Sequence, residues 1–191
     1  MRTAAAIDQG VSYADYLRLE ATGAAKHEWL DGVLYAMPPR TLEHSALSAS
    51  VITRLTLALR GKPCRVFTSD ARVRVRATGL GTYPDASVAC GSIEHDAHDP
   101  DALANPLVLV EVLSDSTEDE GPRRKFAHYR RIPSLRDYVL VGQREPMVEH
   151  HFRNADGTWT TRDLGPGDVL RLTGVAAEIA VDEIYRDPMA G

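Results

Sequence analysis

The chain has 191 residues, 43% hydrophobic and 26% charged, with a formal net charge of −5; this suits one globular domain with a real core and excludes fibrous, disordered and disulfide-dense classes. No apolar stretch approaches the roughly 18 residues of a membrane span, and Met1 to Gly10 lacks the basic-then-apolar pattern of a signal peptide. Two cysteines, Cys64 and Cys90, make no disulfide framework, so a cytoplasmic location with both thiols reduced is expected. The acidic balance argues mildly against a nucleic-acid binder, but a local basic cleft on an acidic protein can still hold DNA.

Residues 1–10 read as a loose tail, and residues 11–191 as a single domain. Ser12-Tyr13-Ala14-Asp15 has capping-box spacing, with Asp in place of Glu, and opens a helix to about Glu20. Thr22-Gly23 stops it. His27 to Met37 reads as a hairpin turning at Asp31-Gly32, a strong two-residue turn signal, and Pro38-Pro39 ends it. Thr41 to Arg60 is the longest helical pattern. Leu47, Val51, Leu55 and Leu59 recur every four residues, and Gly61 and Pro63 close the segment.

Strands are predicted at 64–68 and 71–76. The second alternates Arg72, Arg74 and Arg76 with Val73 and Val75, which predicts one buried and one cationic face. That face suits a phosphate backbone or a charge-protected edge strand. Strands then fall near 84–90 and 107–113, separated by an acidic, His-containing, turn-like stretch from Glu94 to Pro106. Pro122 suits the first position of a helix running to Arg131, closed by Ile132-Pro133. Asp137 to Gly142 is a strand. The rest is β-rich, at 147–153, 158–164 and 169–173, with turns at Asn154-Ala155-Asp156-Gly157 and Pro166-Gly167-Asp168. The class is α/β, bordering on α+β, with a mixed sheet flanked by helices.

The feature that points to chemistry is Glu111, set in the apolar run Leu107-Val108-Leu109-Val110-Glu111-Val112-Leu113. An ionised carboxylate in a buried strand costs several kcal/mol, in rough terms, unless it is paired, hydrogen-bonded or metal-bound. Asp85 follows Pro84 at the start of the 84–90 strand. If the two strands are neighbours, the two carboxylates come together, and a divalent cation turns their repulsion into binding. The bland alternatives are a turn cap for Asp85, a structural ion pair for Glu111, a solvated helix position for Lys125 and a hydrogen-bonded core position for His44. His150 and His151 are adjacent on a strand and point to opposite faces. His95 and His98 read as solvated loop residues.

In order, the chain carries His27-Glu28-Trp29-Leu30-Asp31-Gly32, His44, Pro84-Asp85-Ala86, Glu111-Val112-Leu113-Ser114-Asp115-Ser116-Thr117, Lys125-Phe126-Ala127-His128-Tyr129 and Pro133-Ser134-Leu135-Arg136-Asp137-Tyr138. This set resembles the PD-(D/E)XK nuclease superfamily, and within it the putative restriction endonuclease domain family of small bacterial proteins. The resemblance implies a restriction-endonuclease-like fold and a Mg²⁺-dependent DNA endonuclease, with Mn²⁺ as substitute. It implies Asp85, Glu111 and Lys125 as catalytic residues, and Asp85, Glu111 and the Val112 backbone carbonyl as metal ligands. Glu28 and His44 are implied as additional site residues. The chain departs from the pattern at Leu113, where the superfamily places its lysine; the family implies that this role passes to Lys125 on the following helix, with Arg123 and Arg124 as neighbours. Arg72, Arg74, Arg76, Arg123 and Arg124 are the expected DNA contacts. Cutting both strands makes a homodimer natural. The reading from another class is a nuclease fold without activity, serving as a nucleic-acid-binding or partner-binding module.

Overall fold

A computed structural model describes residues 6–23, 25–113 and 121–186, the side chains of residues 122 and 123 excepted. The N-terminal part begins with strand β1 (Ala6–Gln9), helix α1 (Tyr13–Ala21) and the hairpin β2 (His27–Leu30) and β3 (Val33–Ala36). Ser12 caps α1, its hydroxyl oxygen accepting from the Asp15 N–H at 3.1 Å. The hairpin turns on Asp31 at φ 46° and Gly32 at φ 90°, the positive pair that a tight two-residue turn requires. Ala6–Gln9 corrects the expectation of a loose tail over 1–10: β1 pairs antiparallel with β3 and covers its edge.

Helix α2 (Leu42–Ala58) follows, N-capped by Thr41, whose hydroxyl oxygen accepts from the His44 N–H at 3.1 Å. Next come β4 (Cys64–Thr68), β5 (Arg72–Val75), β6 (Leu80–Thr82), β7 (Ala86–Cys90), β8 (His95–Asp96), β9 (Asp99–Leu103) and β10 (Val108–Val112). Helix α3 (Gly121–Tyr129), β11 (Asp137–Val141), β12 (Val148–Arg153), β13 (Trp159–Leu164), the hairpin β14 (Val169–Leu172) and β15 (Ala177–Ala180), and α4 (Val181–Ile184) complete the chain. The fold is α+β.

The strands form a seven-stranded sheet, β1-β3-β2-β6-β5-β9-β8, a six-stranded sheet, β13-β12-β11-β10-β7-β4, and the β14-β15 pair. In the six-stranded sheet β10 and β11 are parallel, so the chain must cross over between them, and α3 is that crossover. Alternation along β10 divides its side chains between two cores. Val108, Val110 and Val112 pack with α2, β14, β15 and α4. Leu109 packs with Tyr129, Ile132, Leu135 and Tyr138, and with Val73, Val75 and Leu80 of the other sheet. Glu111 shares the parity of Leu109, so it points toward α3 and the seven-stranded sheet.

The arginine row does not form the cationic face expected of it. Strand β5 lies inside its sheet, between β6 and β9. Arg72 is buried, donates to both Asp99 carboxylate oxygens, and donates to the Tyr83 hydroxyl at 2.6 Å. The Arg74 guanidinium lies 3.9 Å from the Tyr13 ring centroid and 4.8 Å from that of Trp29. Arg76 pairs with Asp96. The acidic stretch read as a loop is the partner of these arginines: β8 and β9 place Asp96 and Asp99, both buried, against Arg76 and Arg72. Arg72 and Asp99 form a buried pair whose charges satisfy each other, Arg74 is stacked on aromatic rings, and the exposed Arg76 is held by Asp96.

The cysteines also depart from expectation. Register places Cys64 of β4 directly opposite Cys90 of β7, and the two sulfurs are bonded. Protein prepared without reductant is therefore expected to show no alkylatable thiol, by mass spectrometry after denaturation, and two after reduction. Entropy arguments for a closed loop of this size put the stability lost on reduction at about 3 kcal/mol. Among the described residues, no helix is long and apolar enough to cross a membrane.

Candidate active site

Strand β7 runs antiparallel to β10 with Val110 opposite Ala86. One step further along that register, Asp85 stands opposite Glu111, on the same face. Pro84 has no N–H, so the ladder stops there. The Asp85 side chain continues it: Oδ2 accepts the Val112 N–H at 2.8 Å. The same oxygen lies 3.3 Å from His44 Nε2, and that nitrogen lies 3.1 Å from the Val112 carbonyl oxygen. The other carboxylate oxygen, Oδ1, faces the Arg40 guanidinium at 3.5 Å. Burial acts to raise the Asp85 pKa, but His44, Arg40 and the Val112 N–H outweigh it and hold the carboxyl below the usual range.

Glu111 accepts at Oε1 from the Tyr129 hydroxyl at 2.8 Å and from Lys125 Nζ at 3.1 Å. Both donors come from α3, four residues apart and so on one helix face. The crossover lays that face over β10, so the Lys125 ammonium reaches Glu111. Leu113 packs instead at the margin of the core beneath α3. Burial pushes the Glu111 carboxyl up; Lys125 opposes this, Asp85 and Glu28 add to it, and the pKa ends above the ordinary value.

Glu28 enters from β2 in the other sheet. Its Oε1 lies 2.6 Å from Lys125 Nζ and accepts from the Thr82 hydroxyl at 2.5 Å. Burial works against its charge, but Lys125 first, then Thr82 and Arg40, keep it below the usual carboxylate range. Lys125 therefore bridges Glu28 and Glu111. Burial alone lowers an ammonium pKa; here the two carboxylates win and raise it.

Of the residues expected in a site, Glu28, His44, Asp85, Glu111, the Val112 carbonyl and Lys125 converge at this meeting of two sheets and two helices. Arg72, Arg74 and Arg76 do not join them. Arg124 is exposed. The Arg123 side chain and Ser114-Asp115-Ser116-Thr117 lie outside the described residues. Sequence reasoning assigned no role to Arg40, Thr82 or Tyr129. Tyr129 had a signal in its four-residue spacing from Lys125; Arg40 and Thr82 had none beyond their polarity. His150 and His151 point to opposite faces as expected: His150 Nε2 lies 2.9 Å from Asp137 Oδ1, while His151 stacks on Phe126 with centroids 4.3 Å apart.

The arrangement offers hard oxygen donors beside a buried ammonium. Among the described residues, no three His, Cys, Asp or Glu side chains gather closely enough to cage a metal by themselves. Asp85, Glu111 and the Val112 carbonyl present oxygen atoms of the kind that small hard dications favour.

Residues 13–182 match the Uma2 family, which carries the description "Putative restriction endonuclease". Two uncharacterized proteins of Synechocystis sp. (strain ATCC 27184 / PCC 6803 / Kazusa) are similar. One, slr1290, is 34% identical over 176 residues, covering 92% of each chain. The other, sll1609, is 28% identical over 151 residues, covering 79% of this chain and 85% of its own. The fold is shared with the crystal structure of a protein titled a putative nuclease belonging to DUF820, from Anabaena variabilis ATCC 29413. That comparison has a TM-score of 0.73 at 16% identity and covers 92% of this chain and 97% of the other.

Proposed function

The chain belongs to the Uma2 family of putative restriction endonucleases, and from that premise we propose that it is a metal-dependent endonuclease hydrolysing DNA phosphodiester bonds. The observation that carries this reading is the convergence of Asp85, Glu111 and Lys125 from two adjacent strands and the helix that crosses over them. Asp85, Glu111 and the Val112 carbonyl are the residues that hold the ion, with Mg²⁺ the natural occupant and Mn²⁺ its substitute. When bound, such a dication supplies Lewis acidity toward the phosphate and an acidified water.

The protein's own groups do the positioning. Asp85 is presented ionised, one oxygen fixed by the Val112 N–H and His44. Tyr129 fixes one oxygen of Glu111, so the carboxylate keeps one orientation. Lys125, held between Glu28 and Glu111, orients the attacking water and offsets the charge that grows on the phosphate. Glu28 serves the lysine, its Oε1 lying 2.6 Å from Lys125 Nζ and accepting from the Thr82 hydroxyl. DNA is the substrate class, and a homodimer brings one such centre to each strand.

The test is cleavage of plasmid and single-stranded DNA in Mg²⁺ or Mn²⁺. Wild-type protein is expected to cut in either ion and to stop when the ion is chelated. Asp85→Ala is expected to bind Mn²⁺ weakly and to cut at background level. Cutting by Asp85→Ala at the wild-type rate would sink the reading. Wild-type protein that binds DNA without metal and cuts nothing would replace it with the inactive binding module.

A further inference from the structure

We propose that Arg40 is the residue that takes hold of the substrate phosphate, and that in the metal-free protein it is parked on Asp85. The inference rests on the nuclease reading and adds to it a residue that bridges two states of the site. Asp85 is held unequally. Its Oδ2 has a hydrogen bond of 2.8 Å from the Val112 N–H, whereas its Oδ1 has, among the described residues, the Arg40 guanidinium at 3.5 Å. That separation is longer than a hydrogen bond, so the contact is one of charge and is easily exchanged.

Exposure gives the direction. The Arg40 side chain is 24% exposed and that of Asp85 is 4% exposed, so Arg40 stands on the solvent side, where a phosphate arrives. Pro38 and Pro39 precede it and Thr41 caps α2 behind it. The backbone is thus fixed on both sides while the long side chain can turn. The first turn of α2 adds its own preference for an anion at the same place.

The other cation of the site is already committed. Lys125 lies between Glu28 and Glu111 and cannot leave without stranding two buried carboxylates. Among the described residues of the site, three carboxylates face these two organic cations. Three carboxylates outnumber the two fixed cations there, with the His44 imidazole beside Asp85, which favours a dication at Asp85. Once Asp85 is neutralised in that way, Arg40 loses its partner. A guanidinium released beside a phosphodiester has the flat fork of donors that matches two non-bridging oxygens. Arg40 therefore opposes metal binding slightly and supports DNA binding.

Those opposite signs make the test. Mn²⁺ affinity is measured by electron paramagnetic resonance of the free ion, and duplex affinity by fluorescence anisotropy in Ca²⁺ over a range of salt, with thermal melts to confirm folding. Arg40→Ala is expected to bind Mn²⁺ about threefold or more tightly, since a competing charge of modest strength is gone. It is expected to bind duplex more weakly, with the log–log salt slope reduced by about one. Arg40→Gln, closer in size, is expected to behave in the same way. Arg40→Lys is expected to keep the salt slope but not the affinity of the fork. A variant that weakens both affinities marks Arg40 as merely structural and overturns the inference. If wild type binds both probes and Arg40→Ala matches it, the inference falls alone. If wild type binds neither Mn²⁺ nor duplex, the nuclease reading falls and this inference falls with it.

Discussion

Lys125→Ala is expected to lower DNA cleavage by about 10²–10³, the usual loss when one electrostatic stabiliser is taken from a dry site, and to destabilise the fold in a pH-dependent way. The second effect follows from the burial of Glu28 and Glu111 around the ammonium. In the wild type, Lys125 and its neighbours hold the folded Glu28 pKa below its unfolded value. That group contributes stability above the unfolded pKa and loses it as pH falls through the folded one. Lys125 has a folded pKa raised above its unfolded value, so its contribution is complete below the unfolded lysine pKa and is lost as pH rises through the folded one. Remove the lysine and burial dominates both carboxyls. Their folded pKa values then exceed the unfolded ones, so the variant loses stability as pH rises through the carboxylate range. The gap between wild type and variant is expected to be small near pH 4 and to reach about 3–5 kcal/mol near pH 8, the cost of breaking a buried pair. Thermal melts at the two pH values check this, alongside cleavage rates in Mn²⁺. A gap of equal size at both pH values would mean that the ammonium is not what keeps these carboxylates charged.

The same site shows what a sequence can and cannot display. Glu111 is legible because a charge inside an apolar strand contradicts its surroundings, and Asp85 because Pro84 marks a strand start. The α2 N-cap at Thr41 and the Asp31-Gly32 turn are local, and their φ angles and hydrogen bonds follow from the residues themselves. What stays hidden is set by long-range pairing. The alternation of Arg72, Arg74 and Arg76 is visible, but nothing local says that Asp96 and Asp99 fold back to cover them. An acidic stretch and a basic strand each read as solvated until the sheet puts them together. The strands β1, β6 and β15 are three or four residues long, too short to show a period, and exist because a neighbour completes their ladders. Thr82 reaches Glu28 across a pair of strands 54 residues apart in sequence. Cys64 and Cys90 meet only because β4 and β7 share a register.

Asp137→Ala is expected to destabilise the protein strongly while leaving its chemistry intact when cold. Asp137 opens β11, is fully buried, and has no Lys or Arg partner among the described residues. Its charge is held by donors alone. Oδ1 accepts from the Thr173 N–H at 3.1 Å and the Thr173 hydroxyl at 3.2 Å, and lies 2.9 Å from His150 Nε2. Oδ2 accepts from the Gly174 N–H at 2.8 Å. An ionised carboxylate only accepts, so His150 carries its proton on Nε2. The loop after β14 can approach this closely because residue 174 is glycine: a Cβ there would lie 2.5 Å from Arg136 Cβ and 3.0 Å from Asp137 Oδ2. This carboxylate thus fastens the β14-β15 hairpin to the six-stranded sheet, and the hairpin supplies Leu170, Leu172, Ala177 and Ile179 to the core beneath α2. Alanine leaves several buried donors without an acceptor, each costing about 1–3 kcal/mol. Partial rehydration of the loop brings the sum to about 3–5 kcal/mol, or roughly 8–15 °C in Tm for a chain of this size. Asp137→Asn keeps one acceptor oxygen and is expected to lose less than half of that. Because Asp137 lies at the end of β11 opposite Val108, away from Glu111 on the paired strand, cleavage at 10 °C is expected to stay within about twofold of wild type. An unchanged Tm in Asp137→Ala would show that the hairpin is held by its apolar face and not by this cluster of donors.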